Sequence, residues 1–172
     1  LHRLNRRQRQ ICIRDSSYST QMNRAYGSAI ANGKIVYSYA NNLWTHNLST
    51  SGSRCPSTSQ SARISYRAGS YVGMQFNPNN NQELWTLSWS LSRMQKLTLN
   101  SNYSSISSTS SFGRRSRSNS SATRTYFYFP WGLGWDQVNN RLLASDLNKG
   151  SVQVFDSSGT WIKNFGGAPT TR

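Results

Sequence analysis

The sequence predicts an all-β protein, a β-propeller of four-stranded antiparallel blades present as a partial ring of about three and a half blades. Three observations predict it. Ala, Glu and Lys are scarce while Ser, Asn and aromatic residues are common, a balance that suits short strands and many turns rather than long helices. Short runs with apolar alternation are separated by turns rich in Asn, Asp and Gly, the chemistry of β-hairpins. The same order of strand and turn recurs along the chain, as it does in repeat architectures.

The clearest unit lies near the C-terminal end. Pro130–Asp136 reads as a first strand, Gln137–Arg141 as a turn and Leu142–Asp146 as a second strand. Leu147–Gly150 is another turn, Ser151–Phe155 a third strand, Asp156–Gly159 a tight turn and Thr160–Phe165 a fourth strand. One such sheet buries too little to stand alone, and a propeller supplies neighbours on both faces. The segment resembles the NHL repeat through Pro130, Gly132, Asp136, Asp146, Asn148, Val152, Val154, Phe155, Asp156, Gly159, Phe165 and Gly166. The resemblance covers Phe129 to Gly167. It implies a rigid disc with binding loops on its faces, with Asp136, Asp146 and Asp156 capping turns.

Two further blades are in phase but diverged. In one, Val72–Phe76, Glu83–Leu87 and Met94–Leu99 are strands, with Asn77–Gln82 as a turn. In the other, Gly27–Ile30, Lys34–Tyr39 and Leu43–Leu48 are strands, Ala31–Gly33 is a turn and Arg63–Tyr66 is the outer strand. Gln10–Ser17, running on to Tyr26–Gly27, repeats the pattern of Val152–Ser158 running on to Phe165–Gly166. The chain therefore divides into the second half of a blade over 1–25, diverged blades over 26–68 and 69–125, and the NHL-like blade over 126–172. About three and a half blades do not close a ring that ordinarily takes four to eight. Apolar faces bearing Ile11, Ile13, Trp161 and Phe165 are expected at its ends, to be covered by other protein chains, a second copy or more of the same polypeptide.

Between residues 100 and 124 the pattern gives way to a Ser- and Arg-rich stretch, read as an insertion in the second diverged blade. Its composition predicts disorder; the alternative is that it holds the outer strand of its blade, with the basic part at a tip. The cluster Arg114, Arg115, Arg117 and Arg124 among many hydroxyls is a candidate polyanion-binding site, against a plain solvated loop. The net charge of +15, nearly all from arginine, favours a polyanionic partner such as RNA; the alternative is a general arginine bias on a solvated surface.

Catalytic chemistry is sparse. Nucleophilic catalysis needs a base beside the nucleophile, and the only histidines are His2, near the start, and His46, on an expected strand. Three of the five acidic residues sit at the turn-capping positions. Cys12 and Cys55 fit neither a zinc ribbon nor a redox CxxC, and two free thiols are expected over one disulfide. No apolar run is long enough to span a bilayer. Leu1–Arg14 is basic without the apolar core of a signal peptide, and the absence of an initiator Met reads as processing or as a piece of something longer. No catalytic residue, metal or cofactor is expected. Most tryptophans, and the run Tyr126–Phe129, are expected to pack between blades rather than to form stacking platforms. The leading function is a non-catalytic binding or scaffolding propeller engaging RNA, another polyanion or other proteins. A structural subunit of a viral, cell-surface or ribonucleoprotein assembly is the alternative, and a propeller lyase or hydrolase the remote one.

Overall fold

The computed structural model describes residues 26–39, 42–48, 61–64, 70–116 and 126–167, and these are all-β. The first four-stranded antiparallel sheet comprises β1 (Ser28–Ala31), β2 (Lys34–Tyr39), β3 (Asn42–Asn47) and β4 (Ser61–Ile64). The second comprises β5 (Tyr71–Asn77), β6 (Asn80–Ser88), β7 (Arg93–Leu99) and β8 (Ile106–Phe112). Two short strands, β9 (Arg114–Arg115) and β10 (Tyr126–Phe127), pair with each other. The third sheet comprises β11 (Pro130–Asp136), β12 (Arg141–Asp146), β13 (Ser151–Asp156) and β14 (Trp161–Gly166). In every four-stranded sheet the strands lie side by side in chain order, and the first strand of the second sheet, β5, packs against the first strands β1 and β11 of the other two. This is propeller geometry, with inner strands towards an axis and fourth strands outside. The half blade expected over 1–25, with Ile11 and Ile13, lies outside the described residues.

The hairpin turns are made by the residues the sequence offers. Asn32 and Gly33 take φ of 49° and 66° between β1 and β2, the left-handed conformation that Asn and Gly adopt most readily. Asp136 Oδ1 accepts the Val138 and Asn139 amides, and Asp156 Oδ1 accepts those of Ser158 and Thr160. Asparagines also join the turns of different sheets. Asn81 donates to Asn32 at 2.8 Å, Asn32 donates to the Tyr103 hydroxyl at 3.0 Å, and Asn79 donates to Asn140 at 3.1 Å.

The stretch after Asn100 is the main departure from the composition-based expectation of disorder. Asn100 Oδ1 accepts the Ser104 and Ser105 amides, and β8 then pairs along β7 as the outer strand of its sheet. Its serines are held by the ladder and by side-chain bonds, Ser108 to Thr98 at 2.9 Å and Gln95 to Ser111 at 3.1 Å. An outer strand needs an apolar partner on neither side of most residues, so a serine run serves. The outer strand of the first sheet is described over Ser61–Ile64, and the remainder of the expected Arg63–Tyr66 strand, Ser65 and Tyr66, lies outside the described residues.

Two apolar clusters join the three sheets. Val36, Leu43 and Ile64 of the first sheet pack with Met74, Phe76, Leu84 and Leu97 of the second. Trp85, Leu87 and Met94 of the second pack with Leu142, Ala144 and Phe155 of the third. Pairing register places equivalent residues in line across each sheet. Gly27, Ser38, Leu43 and Ile64 form one row, Gly73, Leu87, Met94 and Phe112 the next, and Gly132, Ser145, Val152 and Phe165 the third. In the first two sheets this row faces the following sheet. At its inner end a glycine lets the next inner strand come close. A Cβ at Gly73 would lie 2.9 Å from both N and Cβ of Leu133.

Trp161 departs from the expected end face. A bulge between Val154 and Phe155 brings Trp161 opposite Phe155, so the indole packs into the cluster shared with the second sheet. Phe165 is 51% exposed, as expected of that face. Trp85, Trp135 and Trp161 pack between sheets, whereas Trp89 and Trp131 are exposed.

Two outcomes follow from this packing. Gly73→Ala should cost about 1–3 kcal/mol by overpacking against Leu133. Gly134→Ala meets nothing within 4 Å and should be neutral or stabilising by about 0.4–1 kcal/mol; urea denaturation of both variants reads the difference. Partial burial lowers the His46 pKa below the ordinary histidine value. Its neutral form is therefore favoured by folding, a contribution present above about pH 6.5 and lost as pH falls below it. Wild type should lose stability relative to His46→Gln over that descent, measured by denaturation at a series of pH values.

Candidate polyanion-binding site

The site forms where the chain leaves the second sheet and enters the third. After Phe112, Gly113 at φ 80° turns the backbone, and β9 pairs in parallel with β10, Arg114 opposite Tyr126 and Arg115 opposite Phe127. The Ser116 amide extends the pairing to the Phe127 carbonyl at 3.1 Å. Phe127 is buried, its ring 6.2 Å from that of Phe155, and so anchors the pair in the core between the sheets.

This pairing arranges the charges. Arg114 Nη2 donates to the Tyr126 hydroxyl at 2.9 Å, and its guanidinium lies 5.2 Å from the ring centre. The Arg115 guanidinium lies 5.7 Å from the Tyr128 ring and 5.8 Å from that of Phe129. Lys149 adds a third cation. Its Nζ donates to the Tyr126 carbonyl at 2.8 Å and lies 5.9 Å from the Tyr126 ring. Aromatic faces attract cations through their quadrupole and hold them without neutralising their charge. Arg114 and Arg115 remain exposed.

The aromatic side is equally organised. Phe129 holds φ at 72°, a strained conformation for a bulky residue. Its carbonyl accepts the Leu147 amide at 3.1 Å, and its ring lies 5.9 Å from that of Trp89 in the β6–β7 turn. Trp89 is 37% exposed and Trp131 57% exposed. Arg93, at the start of β7 on the same end of the second sheet, has a buried Nε without a hydrogen-bond partner among the described residues.

Beneath the surface, the segment is fastened by Asp146, only 2% exposed. One carboxylate oxygen accepts the Tyr128 amide and the other the Lys149 amide. Burial raises the Asp146 pKa, while the amides of Tyr128 and Lys149 and the Lys149 charge oppose the rise. Burial likewise lowers the Lys149 pKa, opposed by Asp146 and Tyr126. Asp136 and Asp156 go the opposite way. Asp136 is lowered chiefly by the Asn139 side chain. For Asp156 burial acts upwards, but hydrogen bonds from Ser158 and Thr160 together outweigh it.

Of the four arginines singled out in the sequence, the structure brings Arg114 and Arg115 together on one short strand; Arg117 and Arg124 lie outside the described residues. Lys149 was missed. It lies in a turn that in the sequence reads only as hairpin chemistry, and nothing local places it on Tyr126.

No protein-family model matches this chain, and no curated protein matches it in sequence. Solved structures resemble it in fold. An auxiliary nutrient binding protein from Bacteroides thetaiotaomicron aligns with a TM-score of 0.61 at 9% identity, over 85% of this chain and 36% of that one. A chain of the nidogen/laminin complex aligns with a TM-score of 0.56 at 13% identity, over 82% of this chain and 46% of that one. Hydrazine synthase from Kuenenia stuttgartiensis gives 0.54 at 6% identity, over 81% and 35%. The chain thus spans less than half the length of each of these chains. At such identities the likeness concerns fold alone, and that fold is a partial β-propeller of four-stranded antiparallel sheets.

Asp146 yields a paired prediction. Asp146→Ala strands the Tyr128 and Lys149 amides and should cost about 1–3 kcal/mol, whereas Asp146→Asn keeps an acceptor and should cost less. Because the Asp146 pKa is raised, its ionised form opposes folding above that pKa, and protonation relieves the penalty as pH falls. Wild type should therefore gain stability relative to Asp146→Asn as pH descends towards about 4, read by denaturation across acidic pH.

Proposed function

We propose that this chain is a non-catalytic binding propeller of the NHL type that engages a polyanion, RNA in particular, at the corner formed by β9, β10 and the turn bearing Lys149. The observation that carries the reading is the pairing of β9 with β10. It sets Arg114 on Tyr126 and Arg115 on Tyr128 and Phe129, so two exposed guanidiniums are held in place with their charge undiminished. Guanidiniums present donors in a planar fork that matches phosphate oxygens. The exposed rings of Trp89 and Trp131 stand at the same end of the sheets, and flat aromatic faces accept bases of any sequence. The arginine-rich composition of the whole chain adds a long-range attraction for a polyanion. Arg117 and Arg124 belong to the same proposal through their place in the segment between β9 and β10.

The acidic residues support the non-catalytic part. Glu83 accepts from Asn77 and Trp85 and faces Lys96 at 3.8 Å. Asp136, Asp146 and Asp156 hold turns and the β10–β11 segment. Each carboxylate among the described residues is thus committed to structure.

The test is fluorescence anisotropy of a labelled single-stranded RNA against the 172-residue chain over a salt series. Wild type should bind with an affinity that falls steeply as salt rises. Replacing Arg114 and Arg115 with alanine should weaken binding at every salt concentration and reduce the salt slope by about 1–2. Absence of binding at low salt, or an unchanged slope in the variant, would sink the proposal.

A further inference from the structure

The row Gly132, Ser145, Val152 and Phe165 lies on the face of the third sheet turned away from the second, and its equivalents show what that face does. In the first sheet, the Gly27 amide donates to Ser38 Oγ at 3.2 Å, and that hydroxyl donates onward to the Tyr71 carbonyl of the next sheet at 2.8 Å. The hydroxyl is thereby a weld between neighbouring sheets. In the third sheet the Gly132 amide donates to Ser145 Oγ at 2.8 Å in the same way. There the hydroxyl reaches only the Gly132 carbonyl of its own sheet, at 3.4 Å.

The rest of the row repeats the comparison. Leu43 and Ile64 in the first sheet are fully buried beneath the second, and Leu87 and Met94 in the second beneath the third. Phe112 packs 5.3 Å from Trp85 and meets Gly159 of the third sheet. Phe165, in the same register position as Phe112, is 51% exposed. The other half of the repeated interface lies on the far face of the first sheet, where Ile30 is 64% exposed and Ile35 and Trp44 are half-buried.

We propose that the outer face of the third sheet docks the first sheet of a second copy of this chain, with the Ser145 hydroxyl donating to a main-chain carbonyl at the start of the incoming inner strand. The chain carries both halves of one repeated interface, one on each terminal sheet, and neither half is covered by a sheet among the described residues. Complementary surfaces at opposite ends associate head to tail, and such contacts close into rings when the rotation permits. Two copies bring together six described sheets, within the four to eight blades that propellers use.

The experiment is sedimentation equilibrium of the 172-residue chain over a concentration range. The expected mass is twice the 19.4 kDa of one copy. Phe165→Asp alters an exposed residue, so its circular dichroism should match wild type while its mass falls to that of one copy and its melting loses the concentration dependence that association gives wild type. Ser145→Ala should weaken association by about ten- to a hundredfold, the worth of two neutral hydrogen bonds, one at each of the two contacts. A photocrosslinking benzoylphenylalanine at position 165 should join the β1–β4 sheet of the other copy. A single-copy mass at every concentration overturns the proposal. So does association that Phe165→Asp leaves intact, or a crosslink that maps elsewhere.

Discussion

The close approach of inner strands at glycine underlies everything else in this molecule. At Gly73 the backbone of β5 comes against Leu133 at a distance that no side chain tolerates. At Gly27 the neighbours are Met74 and the carbonyls of Tyr71 and Val72, each 3.1 Å from where a Cβ would stand. Sheets can pack face to face only as closely as their inner edges allow. Once those edges meet, Leu43 and Ile64 on one side and Leu87 and Met94 on the next are buried fully, and the two apolar clusters form. The hydrophobic stabilisation of a propeller resides in these clefts between sheets, since a lone four-stranded sheet has no interior.

The arginine corner depends on the same approach. The described parts of the connection between the second and third sheets, Gly113–Ser116 and Tyr126–Phe129, meet in the β9–β10 pair, which is held on its β10 side by groups that sheet packing buries. Phe127 fills the cleft beside Phe155, and Asp146 takes the Tyr128 amide from below. A buried carboxylate is costly unless its oxygens are satisfied, and here amides on both sides of the sheet edge satisfy them. The strained backbone of Phe129 is held by its bond to Leu147 and its contact with Trp89. Local strain of this kind persists only where the surroundings over-determine it. The outcome is a pair of exposed guanidiniums on a rigid mount, which would reduce the entropy lost in the polyanion binding proposed above.

Polar chemistry also divides the work between the sides of the disc. On one side, asparagines in the β1–β2, β5–β6 and β11–β12 turns bond across sheets, Asn81 to Asn32 and Asn79 to Asn140. Their side chains are spent on holding the disc together. On the other side stand Arg114, Arg115 and Lys149 with exposed Trp89 and Trp131. The two arginines lie on rings rather than against carboxylates and keep their field directed outward, whereas Lys149 shares its field with the buried Asp146.

The sequence by itself determined the strands and their turns. Asn32–Gly33, Asp136 and Asp156 act within a few residues of themselves, so hairpin chemistry is legible without knowing the rest of the chain. Alternation told which strands are half-buried, and the arginine cluster marked the charged segment, of which Arg114 and Arg115 lie on β9. Composition misled over Ser101–Phe112, because a serine run is ordered or not according to whether a ladder stands beside it. Only the tertiary structure decided that a bulge turns Trp161 inward and leaves Phe165 out, that Lys149 meets Tyr126, and that Trp89 lies against Phe129. These contacts join residues of different hairpins, and their partners are chosen by how closely the sheets pack, a distance that no local pattern encodes.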